Sequence, residues 1–366
     1  MPIFILKPQD QYNNPIEKLQ THSCVRLFNN FQIDAPGNVH ICCDTWLPDR
    51  VGNLLEMTAD ELFNSKKIKD IVDDMQKGKF SYCNDLCPTL SDFLHDRHQQ
   101  FIIPQTELDA VVSTQPFNIT LSYDPSCNLQ CPSCRNELIV LDVINPVSKY
   151  ELHLHQVHTQ AKRLIELLLE TKNEVIVSIT GSGDPFASAL YWNYIKELAQ
   201  EPIPHNLRIT LTTNGILMTE KNWNEIKSLW PYIVGINVSI DAATEETYKI
   251  VRKNGVFSKL KKNLDLLDQM IVGGCFPRMT GWQTRFVVQK ENYTELKSFV
   301  EWQLSYESKP SIWTHLVAHW SHMTDAQYAR LSVCNDLVIQ SELKDIIKDP
   351  IFNNPQIVLG NLSSIT

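Results

Sequence analysis

From Phe117 onward the chain repeats one pattern: a short run rich in β-branched residues, then a longer stretch whose apolar residues recur at helical spacing. The runs occupy residues 117–123, 174–180, 207–213, 233–240, 282–288 and 311–317, and stretches such as 161–170 and 258–270 lie between them. Strands that alternate with helices imply a parallel sheet with right-handed crossovers. Six such units can curl into an incomplete barrel or lie as an open, doubly wound sheet, and the periodicity is the same for both. In either case the fold class is α/β, and chemistry is expected at the C-terminal ends of the strands.

Residues 1–116 lack this alternation. They are loop-rich around five cysteines, with one helix expected over 58–78, where Thr58 and Glu61 can form a capping box and Gly78 offers a stop. The chain therefore divides into a small N-terminal module (1–100), a connection (101–116), the strand–helix domain (117–348) and a C-terminal tail (349–366). A length of 366 residues suits one large domain with a smaller one beside it. The apolar stretch within Met1–Asp10 is too short for a signal-peptide core, and no run of about 18 apolar residues could span a bilayer. A cytoplasmic protein without a membrane partner is expected. A net charge of −9 gives no general electrostatic reason to bind nucleic acid.

Ten cysteines in such a chain point to metal, because a reducing compartment does not sustain disulfides. Three of them, Cys127, Cys131 and Cys134, crowd the loop directly after the first strand. Closely spaced thiolates can hold three corners of a [4Fe–4S] cube, and the fourth iron is then free to chelate a substrate or cofactor. The rival reading is zinc, which takes four ligands and favours paired C-x-x-C spacings. Three further strand ends are polar: Gly181-Ser182-Gly183-Asp184-Pro185, Thr213-Asn214-Gly215 and Ser239-Ile240-Asp241.

The C-x-x-x-C-x-x-C loop after a first strand resembles the signature of the radical S-adenosylmethionine (SAM) superfamily, and the resemblance extends over about residues 117–320. It implies a partial (β/α)6 TIM-type barrel behind a small, loop-rich cluster-binding domain. It also implies a catalytic [4Fe–4S] cluster on Cys127, Cys131 and Cys134, with SAM chelated at the open iron. One electron from a flavodoxin-type, ferredoxin-type or other reductase donor then yields a 5′-deoxyadenosyl radical. The 181–185 segment is similar to the family's G-G-E-P motif, with Ser182 and Asp184 standing for a glycine and the glutamate. The resemblance places Ser182, Gly183 and Asp184 near the SAM amino group. Asn214, Ser239, Asp241 and Arg252 fall where relatives contact the ribose and carboxylate, and residues 238–264 read closely like those relatives.

The N-terminal cysteines, with the intervening segment 52–65, resemble SPASM auxiliary-cluster domains, which usually follow the barrel rather than precede it. Cys24, Cys42, Cys83 and Cys87 would hold a second [4Fe–4S] cluster, with zinc as the alternative. Residues adjacent on a strand face opposite ways, so Cys43 is expected to be a packed thiol unless the register exchanges it with Cys42. Such relatives commonly oxidise, crosslink or epimerise peptides, and a minority act on sugars or other small molecules. A non-catalytic iron–sulfur or zinc protein is the reading from another class. His153, His155 and His158 read as a solvated loop and helix start. His315 and His319, with Trp313 and Trp320, read as core more than as substrate contacts. Cys275 and Cys334 read as small buried hydrophobes.

Overall fold

The computed structural model describes residues 18–84, 87–94, 101–319 and 323–364; Met1–Asp10 and Trp320 lie outside them. The chain forms two compact units, one of residues 1–123 with 153–177, the other of 124–152 with 178–366.

In the first unit β1 (His22–Cys24) pairs antiparallel with β5 (Ile102–Pro104). The larger sheet is built on β2 (Asn30–Asp34), which pairs antiparallel with β3 (Asn38–His40); β3 in turn pairs with β4 (Gly52–Asn53). The other edge of β2 runs parallel to β6 (Phe117–Ser122), from Asn30 beside Asn118 to Asp34 beside Ser122. Phe31, Phe63 and Phe117 pack as an aromatic group over this pairing, with ring centroids 5.0–5.7 Å apart. The N-terminal segment thus contributes strands to the sheet that holds the first βα strand.

The helix expected over 58–78 is two helices, α1 (Ala59–Phe63) and α2 (Lys66–Gln76). Thr58 and Glu61 do form the capping box of α1. Ser65 interrupts the run because its hydroxyl accepts from Lys67 N–H and donates to the Val51 carbonyl. Gly78, at φ +72°, closes α2 in the left-handed conformation. The connection before β6 is ordered as well, containing β5 and α3 (Leu108–Thr114). The helix α4 (Lys149–Leu169) carries His153, His155 and His158. His158 is buried there, 2.8 Å from the Tyr123 hydroxyl, where a solvated position was expected; its neighbours on the apolar face bring it inside.

Next along the chain are β7 (Val175–Ile179), which the division between the units crosses, and α5 (Ala189–Leu198). The second unit then holds β8 (Leu207–Thr213), β9 (Ile233–Ser239), α6 (Glu245–Val251), α7 (Phe257–Val272), β10 (Gly281–Val288), α8 (Leu296–Leu304), β11 (Ser311–Leu316), α9 (Asp325–Leu331) and β12 (Ile357–Val358). Strands β8 to β12 run parallel in sheet order, each beside the next. The expected tail therefore adds a strand to β11. Cys275 and Cys334 are half-buried rather than enclosed.

Candidate active site

The cysteine loop leaves β6 through Asp124, whose buried carboxylate accepts from Ser126 N–H at 2.8 Å and from the Ser188 hydroxyl at 2.6 Å. The turn after β7 is stitched onto this exit: Asp184 N–H donates to the Ser126 carbonyl at 2.9 Å, and the Ser182 hydroxyl to the Asp124 carbonyl at 3.1 Å. Gly183 lies so close that a Cβ there would stand 2.5 Å from the carbonyl oxygens of Asp124 and Ser126. Only glycine permits this approach.

Cys127 and Cys131 are buried, and Cys134 is exposed. Burial first, then the charge of Asp184, pushes the Cys127 thiol up to about 11; burial also raises Cys131, against the pull of Arg252. Thiols held this way need metal to draw off their protons. The surroundings are prepared for thiolate charge. Leu129 N–H points at Cys127 Sγ (3.4 Å), Arg252 Nη1 at Cys131 Sγ (3.5 Å) and Arg135 Nη2 at Cys134 Sγ (3.5 Å). Arg135 also donates to the Pro125 and Ser182 carbonyls at 2.5 and 2.6 Å, which ties the loop to the β7 turn. The sequence reading missed Arg135; its signal was a cation directly after the last thiolate.

Asp184 is enclosed and turned inward: its carboxylate accepts from the Thr213 hydroxyl (2.8 Å), Asn214 N–H (2.8 Å) and Phe186 N–H (3.0 Å). It joins the ends of β7 and β8. Asn214 reaches back to the loop, donating to Asn128 Oδ1 at 2.9 Å. Asp241, at φ +63°, accepts from Val287 N–H at 2.8 Å and pairs with Arg252 at 2.7 Å. It is a buried internal group that aims Arg252. Ser239 ends β9, half-buried. Arg252 Nε and the Tyr248 hydroxyl are buried without a hydrogen-bond partner. An enclosed guanidinium with an unused N–H suits a ligand carboxylate, so the residues present fit SAM beside a cube on the three cysteines.

In the first unit Cys24, Cys42, Cys83 and Cys87 come together. Burial raises all four, Cys24 to about 11 and Cys42 to about 12, and in every one of the six pairings one thiol also raises the other. Cys43 is opposed chiefly by burial and Asp44 instead. Neither Cys42 nor Cys43 is on a strand, so the loop after β3, not pleat alternation, separates them. Among the described residues no three His, Cys, Asp or Glu side chains sit close enough to chelate one ion. Thiolates at the corners of an iron–sulfur cube stand farther apart than those around one ion, because the cube lies between them.

The model of the radical SAM superfamily matches residues 122–302, and that of SPASM, an iron–sulfur cluster-binding domain, matches residues 24–88. The chain belongs to the radical SAM superfamily and carries a SPASM domain ahead of its barrel. This decides what periodicity left open: the parallel strands are those of a partial barrel, and the cofactors are SAM, a [4Fe–4S] cluster and an auxiliary iron–sulfur cluster. A GTP 3′,8-cyclase from Petrotoga mobilis (strain DSM 10674 / SJ95) is 28% identical over 142 residues, which are 38% of this chain and 39% of that protein. A structure of TYW1 with a lysine-pyruvate adduct bound is 14% identical, covers 61% of this chain and 70% of that one, and superposes with a TM-score of 0.36. Among the described residues no helix is long and apolar enough to cross a membrane.

Proposed function

We propose that Cys127, Cys131 and Cys134 hold the catalytic cluster, that Arg252 and Ser239 receive SAM, and that the substrate is a peptide, which the enzyme oxidises, crosslinks or epimerises. The observation that carries this reading is the convergence of three thiols with two guanidiniums, Arg135 and Arg252, beside strand ends joined by Asp184 and Asn214. Bound there, a reduced [4Fe–4S] cluster would supply the electron that releases a 5′-deoxyadenosyl radical from SAM. The chain's own contribution is geometric: Gly183 lets the β7 turn close on the loop, Arg135 locks it, and Asp184 and Asp241 act as positioning residues. Cys24, Cys42, Cys83 and Cys87 are assigned to the auxiliary cluster, on their mutual proximity. The peptide substrate is what the resemblance to enzymes with SPASM domains implies, and the match of residues 24–88 to that iron–sulfur cluster-binding domain is in keeping with it. The likeness to a GTP 3′,8-cyclase favours a second reading, a small-molecule substrate.

Anaerobically reconstituted protein with SAM and dithionite is expected to form 5′-deoxyadenosine. The variant Cys127→Ala/Cys131→Ala/Cys134→Ala should form none and lose about one cluster's worth of iron and sulfide. Unimpaired 5′-deoxyadenosine formation by that variant removes the three cysteines from the site.

A further inference from the structure

The inner face of β9 to β11 carries side chains to which the SAM assignments give no role, among them Arg285, whose Nη2 donates to Gln283 Oε1 at 3.4 Å. Along β10, Trp282, Thr284, Phe286 and Val288 are buried, and Phe286 meets Phe299 of α8 at 4.8 Å between ring centroids, which marks the helix side. Gln283, Arg285 and Val287 therefore face the barrel interior. Strand β11 alternates likewise, with Ile312, Thr314 and Leu316 buried, so Trp313 and His315 share the inner face. The register sets Arg285 between Ser239 of β9 and Trp313 of β11, with Val287 beside His315 one step farther along. Neighbouring strands are about 4.8 Å apart, so Arg285 springs from one strand beyond Ser239. His315 is held down to about 4 by burial first, then by the charges of Arg285 and Arg252. It is a neutral imidazole at neutral pH, in a field set by two guanidiniums.

We propose that Arg285, flanked by Trp313 and His315, receives an oxyanion of the substrate, which in a peptide is the side-chain carboxylate of an Asp or Glu. The inference rests on the peptide reading above, and it narrows that reading to acidic peptides. A guanidinium presents a planar fork that matches a carboxylate with two parallel hydrogen bonds. A neutral imidazole adds a donor, and the Trp313 ring supplies an apolar wall that excludes water from the pair. SAM does not need this group, because Arg252, aimed by Asp241, already lies at the cysteine loop with a free N–H.

The test uses full-length protein, reconstituted anaerobically, loaded with SAM and immobilised. A random heptapeptide library displayed on its encoding RNA is selected on the wild type, Arg285→Gln and Arg285→Lys, at matched iron content and melting temperature. Binding of uridine diphosphate is measured in parallel by equilibrium dialysis. The expected result is enrichment of Asp or Glu over Asn or Gln by about tenfold in the wild type, the scale of one charge-assisted hydrogen bond. Arg285→Gln should lose it, and Arg285→Lys, which keeps the charge without the fork, should retain part. If Arg285→Gln does not fold, the comparison with Arg285→Lys decides alone. Retained peptides with no acid preference, or with one that the variants keep, overturn the role of Arg285 and leave the peptide reading standing. If no peptide is retained but uridine diphosphate binding depends on Arg285, the oxyanion site stands and the peptide reading falls. If neither probe distinguishes the variants, the inference is wrong.

Discussion

Arg252 has two tasks in this structure, and they separate on mutation. One is the contact toward Cys131 of the cysteine loop, to which the proposal above adds SAM; the other is neutralising Asp241, which is 1% exposed on its side chain and pairs with it at 2.7 Å. Arg252→Ala would therefore strand a buried carboxylate, a defect of about 3–5 kcal/mol, on top of any loss of SAM. The two effects have different pH signatures. Even with Arg252 present, burial holds Asp241 above the usual carboxylate range, and removing the opposing cation raises it further. A carboxyl whose folded value exceeds its unfolded value, near 3.9, is fully accommodated while protonated and loses stability as pH rises toward its folded value. The melting-temperature deficit of Arg252→Ala is thus expected to be small near pH 5 and to grow by pH 8. In Arg252→Ala/Asp241→Asn the pH dependence should vanish. SAM affinity, by isothermal titration, should remain about tenfold or more below wild type, as for a lost hydrogen bond to a charged group. Equal SAM affinity in the double variant would falsify the assignment of Arg252 to the cofactor.

At the scale of elements, the βα strands were legible because each is a short β-branched run with a helical pattern after it. The run 207–213 coincides with β8, and the other strands end within one residue of the reading. What stayed hidden was non-local pairing. Nothing in residues 30–34 says that they lie parallel to residues 118–122, because the Phe31–Phe63–Phe117 contacts that accompany the pairing join distant positions. The break at Ser65 was hidden for a similar reason, since its carbonyl partner is Val51. Of the site, the motif residues could be read at strand ends, whereas the inward turn of Asp184 and the clamp of Arg135 depend on carbonyls from another loop. The Gly183 turn makes that dependence measurable. Gly183→Ala must push the turn off the Asp124–Ser126 backbone, breaking the bonds from Asp184 and Ser182. A loss of about 1–3 kcal/mol in urea unfolding is expected, the range for overpacking, together with weaker SAM binding. Gly281→Ala, whose Cβ would meet nothing nearer than 3.9 Å, is the control and should change stability little. Indistinguishable behaviour of the two variants would show that the turn and the loop are not tightly joined.

For the molecule as a whole, the question is whether the auxiliary domain is held by its cluster or by its packing. Small metal-bound modules commonly unfold without their metal, because binding free energy is folding free energy. Here β2 is anchored by more than thiolates: Ile33 and Val39 are fully enclosed, Phe31 packs on Phe63 and Phe117, and β2 is hydrogen-bonded to β6 along its length. Cys24, Cys42, Cys83 and Cys87 sit at loop positions or at the end of the short β1, where their loss removes little of that apolar contact. Replacing all four by alanine should accordingly lower the melting temperature while leaving a cooperative transition. Iron should fall from roughly eight to roughly four atoms per chain, the content of two cubes and of one, and SAM should still be cleaved to 5′-deoxyadenosine. Cys43→Ala, which spares the set of four, should keep both clusters. Anaerobic metal analysis with electron paramagnetic resonance of the dithionite-reduced proteins reads these outcomes. Stoichiometric zinc in the wild type would remove the auxiliary cluster from Cys24, Cys42, Cys83 and Cys87, and loss of all iron in the fourfold variant would mean that the two centres do not assemble independently.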